Sequence, residues 1–151
     1  MEAILTAIDL TRHAPHSPRE RVAGFVIAKR ATDKCRATLA GTNGEYHYAC
    51  PLDQQLFAFK GITADQFRDA VKNSENYEEV GAWLLGNGKR KSAAEIEAWS
   101  KQMEAYSLMN DPEKRSFFVE TCTKLGLNPA KSTLFDMLEA DDRASFKHAP
   151  R

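Results

Sequence analysis

Hydrophobic positions recur at helical spacing along almost the whole chain. The run Ser17-Pro18-Arg19-Glu20 matches a capping box with proline at the first helical position. Gly41 is typical of a helix end. Between them, one face collects apolar and small residues at helical intervals: Phe25, Ala28, Thr32, Cys35 and Leu39. The pattern predicts a helix from residue 17 to about 40, and Gly24 with β-branched neighbours favours a kink near Ala28.

Six further apolar runs follow, each opened by a capping residue or proline and closed by glycine or a polar break. Pro51 opens the first and Gly61 closes it. Thr63 and Ser92 begin later runs as capping boxes. The aromatic residues at core spacing are expected to pack inside: Trp83, Trp99, Tyr106, Phe117 and Phe118. The chain is therefore predicted to be all-α, with six or seven helices in a single compact domain.

One stretch departs from helical spacing. Asn43-Gly44 favours a tight turn because both residues tolerate positive φ. Residues 45–48 have an extended character. A short β-hairpin near residues 40–48 is therefore the one β element that the pattern allows.

The order of the runs suggests four parts. Residues 1–16 are expected to form an N-terminal arm, 17–88 the main helical region, 89–91 a basic linker, and 92–151 a C-terminal helical subregion. A piece of about 60 residues has little core of its own. The C-terminal subregion is therefore expected to dock on the main region.

Composition narrows the classes of partner. The 151 residues include 28% charged and 42% hydrophobic residues, and the net charge is zero. This balance argues against nucleic acid and anionic membranes as partners. No apolar run approaches the ~20 residues that span a bilayer, and the start Met1-Glu-Ala-Ile-Leu5 does not have the pattern of a signal peptide. Three widely spaced cysteines point to a reducing compartment, so we expect a soluble, cytoplasmic protein.

Several short motifs occur in a characteristic order: Ser17-Pro-Arg-Glu-Arg21, Asp33-Lys34, Ala40-Gly41, Gly44-Glu45-Tyr46, Cys50-Pro-Leu-Asp53, Glu95-Ile-Glu-Ala-Trp99 and Leu134-Phe-Asp-Met-Leu138. Together they resemble the bacterial domain-of-unknown-function family numbered 5069. The likeness is dense over residues 9–62 and patchy beyond them. It implies a small, soluble bacterial protein, and it supplies no activity, ligand or catalytic residue to transfer.

Cys50 is the strongest candidate for a reactive side chain. It directly precedes Pro51, where the positive end of a helix dipole would favour the thiolate. His47 lies three residues earlier and could act as its base. These residues suggest an enzyme with Cys50 as nucleophile, although no orienting third group is evident. No set of three or four zinc ligands is recognisable, so neither a metal nor a cofactor is predicted.

A second set of candidates suggests binding rather than catalysis. Arg19, Arg21 and Lys34 on the first predicted helix are expected to face Glu45, Tyr46 and Asp53. This site would recognise a small anion or the acidic segment of a protein partner. Because Arg21 falls on the apolar face of that helix, it needs a carboxylate, with Glu45, Asp53 or the last helix as the expected source. A non-enzymatic binding module is the leading hypothesis.

The acidic residues of the last helix leave a third alternative. They are Asp136, Glu139, Asp141 and Asp142. They are expected to form a solvated face, but they could also meet the basic first helix within the chain or in a second copy. Lys29 and Arg36 would suit the latter arrangement. A structural homo-oligomer without a ligand is therefore also considered.

Overall fold

A computed structural model describes residues 7–146, and this part of the chain is all-α, with seven α-helices and no β-strand. The helices are α1 (Ala28–Ala40), α2 (Pro51–Lys60), α3 (Ala64–Lys72), α4 (Tyr77–Gly86), α5 (Ala93–Ala105), α6 (Arg115–Lys124) and α7 (Leu134–Ser145). Short 3₁₀ helices cover Leu108–Asn110 and Pro129–Lys131. The capping boxes predicted at Thr63 and Ser92 are both present. Within residues 7–146, no helix is long and apolar enough to cross a membrane.

Helix α1 lies at the centre of the fold and packs against α2, α3 and α4. Its apolar positions, including Ala28, Ala31 and Cys35, belong to a continuous main core built from residues 22–28, helices α1 to α5, and Phe135 of α7. Unusually, α1 also buries four of its five charged side chains: Arg30, Asp33, Lys34 and Arg36. Residues 30–37 are all buried and leave no solvated face for these charges, which must find partners on the surrounding elements.

The predicted helix start at Ser17 is wrong. Helix α1 begins only at Ala28, so Arg19 and Arg21 belong to an irregular segment. Ser17 Oγ accepts the N–H of Arg19 at 3.1 Å and donates to Oε2 of Glu139 at 2.6 Å. The local capping pattern therefore stabilises a turn and a contact with α7 instead of a helix.

Helix α5 explains why residues 22–27 cannot be helical. Ala23 and Gly24 both have positive φ and form a tight turn in which Val22 and Phe25 exchange backbone hydrogen bonds. Ser100 of α5 donates to the carbonyl oxygen of Gly24 at 2.8 Å and accepts the N–H of Val26 at 3.2 Å. These tertiary bonds replace the hydrogen bonds that a helix would have made at those groups.

The β-hairpin predicted near residues 40–48 is also wrong. This segment consists of turns and irregular backbone. Leu10 donates its N–H to the carbonyl oxygen of Thr42 at 2.9 Å, and a Cβ at Gly44 would lie only 2.8 Å from the carbonyl oxygen of Leu10. The segment therefore packs against the N-terminal residues instead of folding back on itself.

The last two helices form a smaller apolar cluster, here called the C-terminal cluster. Its buried members are Leu108, Phe118, Cys122 and Met137. Leu134 and Leu138 of α7 contact both this cluster and the main core. Helix α7 thus joins the two apolar regions.

Two aromatic residues predicted to pack inside are exposed. Phe117 is 59% exposed and Tyr106 is 38% exposed, whereas Phe118 is fully buried. Successive helical positions point about 100° apart, so Phe117 and Phe118 cannot both face the C-terminal cluster. Tyr106 follows the last residue of α5 and is its C-cap. It therefore no longer belongs to the inward-facing side of that helix.

Candidate functional site

A cavity of about 910 Å³ opens between residues 44–52 on one side and helices α6 and α7 on the other. We call it the interhelical cleft. Its apolar lining residues are Leu10, Pro51, Leu52, Leu108, Phe117, Leu134, Met137, Leu138 and Phe146. Arg30, Lys34 and Cys50 are among the polar groups that line it. A cavity of this size, apolar with a few polar groups, is typical of small-molecule sites.

Cys50 occupies the N-cap position of α2, where its side chain caps no backbone N–H. The residue before it, Ala49, has a φ of 63°, in the left-handed region that favours glycine. Cys50 Sγ lies 3.2 Å from Nζ of Lys34, close enough to accept a hydrogen bond. The base suggested by the sequence, His47, is exposed and forms no hydrogen bond with Cys50. The neighbour of the thiol is therefore Lys34 of α1.

Lys34 and Asp53 form a buried ion pair beside Cys50. Their Nζ and Oδ2 atoms are 3.0 Å apart, and their side chains are 4% and 0% exposed. Oδ2 of Asp53 also accepts the N–H of Ala49 at 3.0 Å. The other carboxylate oxygen, Oδ1, is buried without a hydrogen-bond partner in the described residues. Asp53 thus fixes the lysine ammonium and the backbone before Cys50 at the same time.

A second buried ion pair borders the cleft. Arg30 donates to both carboxylate oxygens of Asp142, at 2.7 and 3.2 Å. Burial lowers the pKa of Arg30, but the hydrogen bonds and charge of Asp142 outweigh burial and the net shift is upward. Tyr46 donates to Oδ1 of Asp142 at 2.8 Å. Burial, followed by the charge of Asp142, raises the pKa of the Tyr46 phenol, which therefore remains a neutral donor.

The other two cysteines have a different environment from that of Cys50. Cys35 is in the main core and Cys122 is in the C-terminal cluster. Burial raises the pKa of the Cys35 thiol to about 12, and burial also raises the pKa of Cys122. Thiols held in their protonated form are poor nucleophiles. Of the three, Cys50 alone lines the interhelical cleft.

Arg19 and Arg21 are paired with carboxylates away from Lys34. Arg19 contacts Asp136 at 2.9 Å and Glu139 at 3.1 Å on α7. Arg21 contacts Glu97 and Glu104 on α5. The prediction that Glu45, Asp53 or the last helix supplies the carboxylate for Arg21 is therefore wrong. Arg21 does pair with carboxylates, as its position required.

The sequence candidates thus divide into two groups. Lys34, Tyr46 and Cys50 line the cleft, as do the exposed residues Glu45 and His47. Asp53 is buried behind them and paired with Lys34. Arg19 and Arg21 serve to attach neighbouring helices. In the described part of the chain, no three His, Cys, Asp or Glu side chains are grouped so that they could hold a metal ion.

Three contacts were not predicted from the sequence, two of them in this site and one at Arg21. Nothing local indicates that Lys34 reaches Cys50, 16 residues away, because that contact depends on how α1 packs against α2. The Arg30–Asp142 pair spans 112 residues and has no local signal either. A weak signal existed for Arg21, since Glu97 and Glu104 lie seven residues apart and hence on one face of α5.

Comparison with known families places residues 12–144 in the family described as Domain of unknown function (DUF5069). The match covers most of the chain, which therefore belongs to this family. A comparison with curated proteins finds no match.

Proposed function

We propose that this member of the DUF5069 family is a binding protein that holds a small, largely apolar molecule with one polar end in the interhelical cleft. The observation that carries the proposal is the cleft itself, about 910 Å³ with mainly apolar walls and a few polar groups. Leu52, Leu134 and Met137 offer contacts to the apolar body of such a molecule.

The polar end is assigned to the region around Lys34. A lysine ammonium has three N–H donors, and Asp53 and Cys50 account for two of them. Lys34 lines the cleft, and we assign its third donor to a carbonyl or carboxylate oxygen of the ligand. The donor therefore supports a ligand that places one oxygen at this end.

The charges in the cleft favour this ligand over a simple anion. Lys34 and Arg30 are each neutralised by a buried carboxylate. Among the other charges of the lining, Glu45, Glu113 and Asp141 outnumber the single cation Lys114. The guanidinium groups of Arg19 and Arg21 are engaged by two carboxylates each. The sequence suggested a small anion or an acidic segment as the ligand. The charges of the cleft instead favour an apolar molecule with one polar end.

Fluorescence titration with 8-anilinonaphthalene-1-sulfonate, an apolar probe with one anionic group, tests the proposal. Phe117 is an exposed wall of the cleft, so Phe117→Asp places a charge there without disturbing the core. We expect it to weaken probe binding about tenfold, which corresponds to ~1.4 kcal/mol. Leu85→Asp is the matched control, since Leu85 is 52% exposed and does not line the cleft.

NMR spectra of the backbone amides recorded in the same titration locate the probe. Shifts concentrated in residues 44–52, 113–117 and 134–138 support the proposal. Equal weakening by both variants, or shifts that cluster away from the cleft, would overturn it.

The homo-oligomer hypothesis remains a separate prediction. In the described residues, several charges that could join two copies already pair within one chain, as in Arg19 with Asp136 and Arg30 with Asp142. Sedimentation equilibrium over a hundredfold range of concentration tests it, and a constant monomer mass rejects it.

A further inference from the structure

We propose that Cys50 is a catalytic nucleophile toward an ester or thioester whose acyl chain occupies the interhelical cleft, with Lys34 as the proton donor to the leaving group. This inference rests on the proposed function, because it uses the same cleft and gives a chemical class to its ligand. In this proposal Asp53 is a positioning residue that acts through Lys34.

Lys34 contacts both Cys50 and Asp53. Nζ of Lys34 lies 3.2 Å from Sγ of Cys50 and 3.0 Å from Oδ2 of Asp53. A nucleophile, a proton-transferring group and a third group that orients it are the parts that covalent catalysis requires. Lys34 thus takes the place that the sequence had suggested for His47. Asp53, buried completely, holds the ammonium in one position.

Cys50 is one of the residues that line the interhelical cleft. Lys34, Cys50 and Leu52 all line it, so the thiol borders a space large enough for a substrate. Its apolar walls fit a hydrocarbon acyl chain. Cys35 and Cys122, which do not line the cleft, cannot meet the same molecule.

Attack on the ester places negative charge on its carbonyl oxygen. Cys50 directly precedes α2, a helix of ten residues; Pro51 at its first position has no N–H, and the next residue, Leu52, lines the cleft. The first N–H groups of a helix lack acceptors within the helix and favour negative charge. The positive Lys34 ammonium lies 3.2 Å from the sulfur. Both features stabilise the oxyanion that forms when the sulfur attacks.

The reaction proceeds in two steps. The Cys50 thiolate attacks the carbonyl carbon, a C–S bond forms, and the bond to the leaving alkoxide or thiolate breaks. Lys34 gives a proton to the leaving group and is reprotonated by solvent. Water then attacks the acyl-thioester, the C–S bond breaks, and a carboxylic acid leaves. The Cys50 thiol returns one proton to solvent, which balances the proton taken up by Lys34. The net reaction consumes one water and needs no other reactant.

The experiment measures acylation of the intact protein by p-nitrophenyl butyrate and p-nitrophenyl hexanoate at neutral pH. We expect a burst of nitrophenolate equal to one per chain and an acyl group at Cys50 by peptide mass mapping. The rate should exceed that of N-acetylcysteine by at least about tenfold. The hexanoyl ester should react faster than the butyryl ester, because its longer chain buries more apolar surface.

Variants separate the parts of the site. Cys50→Ser should abolish the burst. The proton donor is tested with ethyl hexanoate, whose alkoxide must be protonated as it leaves, and Lys34→Gln should slow acylation of Cys50 by this ester about tenfold or more, as followed by mass spectrometry. Lys29→Gln is the matched control on the same helix, since Lys29 pairs with Glu20 on the surface and does not line the cleft. If Lys34→Gln unfolds, Lys34→Arg retains the charge but alters proton donation. It should keep the thermal transition and still slow acylation by ethyl hexanoate about tenfold.

The wild-type protein alone decides the main question. Acylation of Cys50 no faster than that of N-acetylcysteine, or equal labelling of Cys35 and Cys122, overturns the inference. If acylation fails while the naphthalene probe still binds in the cleft, only the catalytic inference falls. If the probe titration fails as well, the proposed function falls with it.

Discussion

Arg30 of α1 holds Asp142 of α7 through two hydrogen bonds of 2.7 and 3.2 Å, with side-chain exposures of only 5% and 10%. This contact ties the central helix to the last one. It also fixes Tyr46, which donates to the same carboxylate, at the edge of the interhelical cleft.

Removing one partner of this pair should destabilise the protein strongly. Asp142→Asn leaves the Arg30 guanidinium buried without a counter-charge, so we expect a loss of about 3–5 kcal/mol in the free energy of unfolding. Urea denaturation measures it. Asp141→Asn is the control, because Asp141 is exposed. Replacing both partners together, as Arg30→Met with Asp142→Leu, should recover most of the lost free energy of unfolding, because no buried charge is then left unpaired. If none is recovered, the pair stabilises the fold by more than the neutralisation of two charges.

Ser100 should stabilise the irregular segment before α1. It is fully buried and bonds both the carbonyl oxygen of Gly24 and the N–H of Val26. Ser100→Ala leaves those backbone groups without partners, at a cost of about 1–3 kcal/mol. Urea denaturation of this variant and of Ser116→Ala, at an exposed serine, gives the comparison. Equal stabilities for the two variants would contradict the assigned role.

Replacing alanine by glycine should stabilise the protein at position 49 and destabilise it inside a helix. Ala49 has a φ of 63°, so Ala49→Gly relieves a left-handed backbone strain of about 1 kcal/mol. We expect a small gain in thermal stability. Ala98→Gly, at an exposed position inside α5, should instead lose about 1 kcal/mol. Thermal melts followed by circular dichroism test the opposite signs, and a loss at both positions would refute this account of Ala49.

Acid should weaken the attachment of α7 to Arg19. The backbone hydrogen bond from Thr133 lowers the pKa of Asp136 most, and Arg19 lowers it further. Burial raises the pKa of Glu139, but hydrogen bonds from Arg19 and Ser17 outweigh burial and the net pKa is lowered. Because the folded-state pKa values lie below the ordinary values of 3.8 and 4.5, this stabilisation is present above those values. It is lost as the pH falls through the lowered pKa values.

Melting curves between pH 7 and pH 3 check this sign. At pH 7, Arg19→Gln should have a slightly lower melting temperature than wild type. The loss in free energy of unfolding should be less than about 1 kcal/mol, because these side chains are partly exposed. The two curves should converge in acid. Arg12→Gln, at an exposed arginine, should follow the wild type throughout. A difference that grows in acid would have the wrong sign for this linkage.

Much of the helical pattern could be predicted, and the errors have a common cause. Pro51, Thr63 and Ser92 mark helix starts because proline or a side-chain oxygen satisfies the needs of a first turn within a few residues. Ser17 presents the same local pattern, yet its hydroxyl bonds Glu139, 122 residues away. A local pattern predicts correctly only where no distant group competes for the same atoms.

The sequence by itself determined the all-α class, the family resemblance that the comparison confirmed, and Cys50 at the start of a helix. These follow from spacing and capping, which act over three or four residues. The tertiary structure decided that α1 is central, that its charges are buried, and that Lys34 and Asp53 stand beside Cys50. Such contacts depend on the angles at which helices pack, and a buried charge takes whichever partner that packing brings within hydrogen-bond distance.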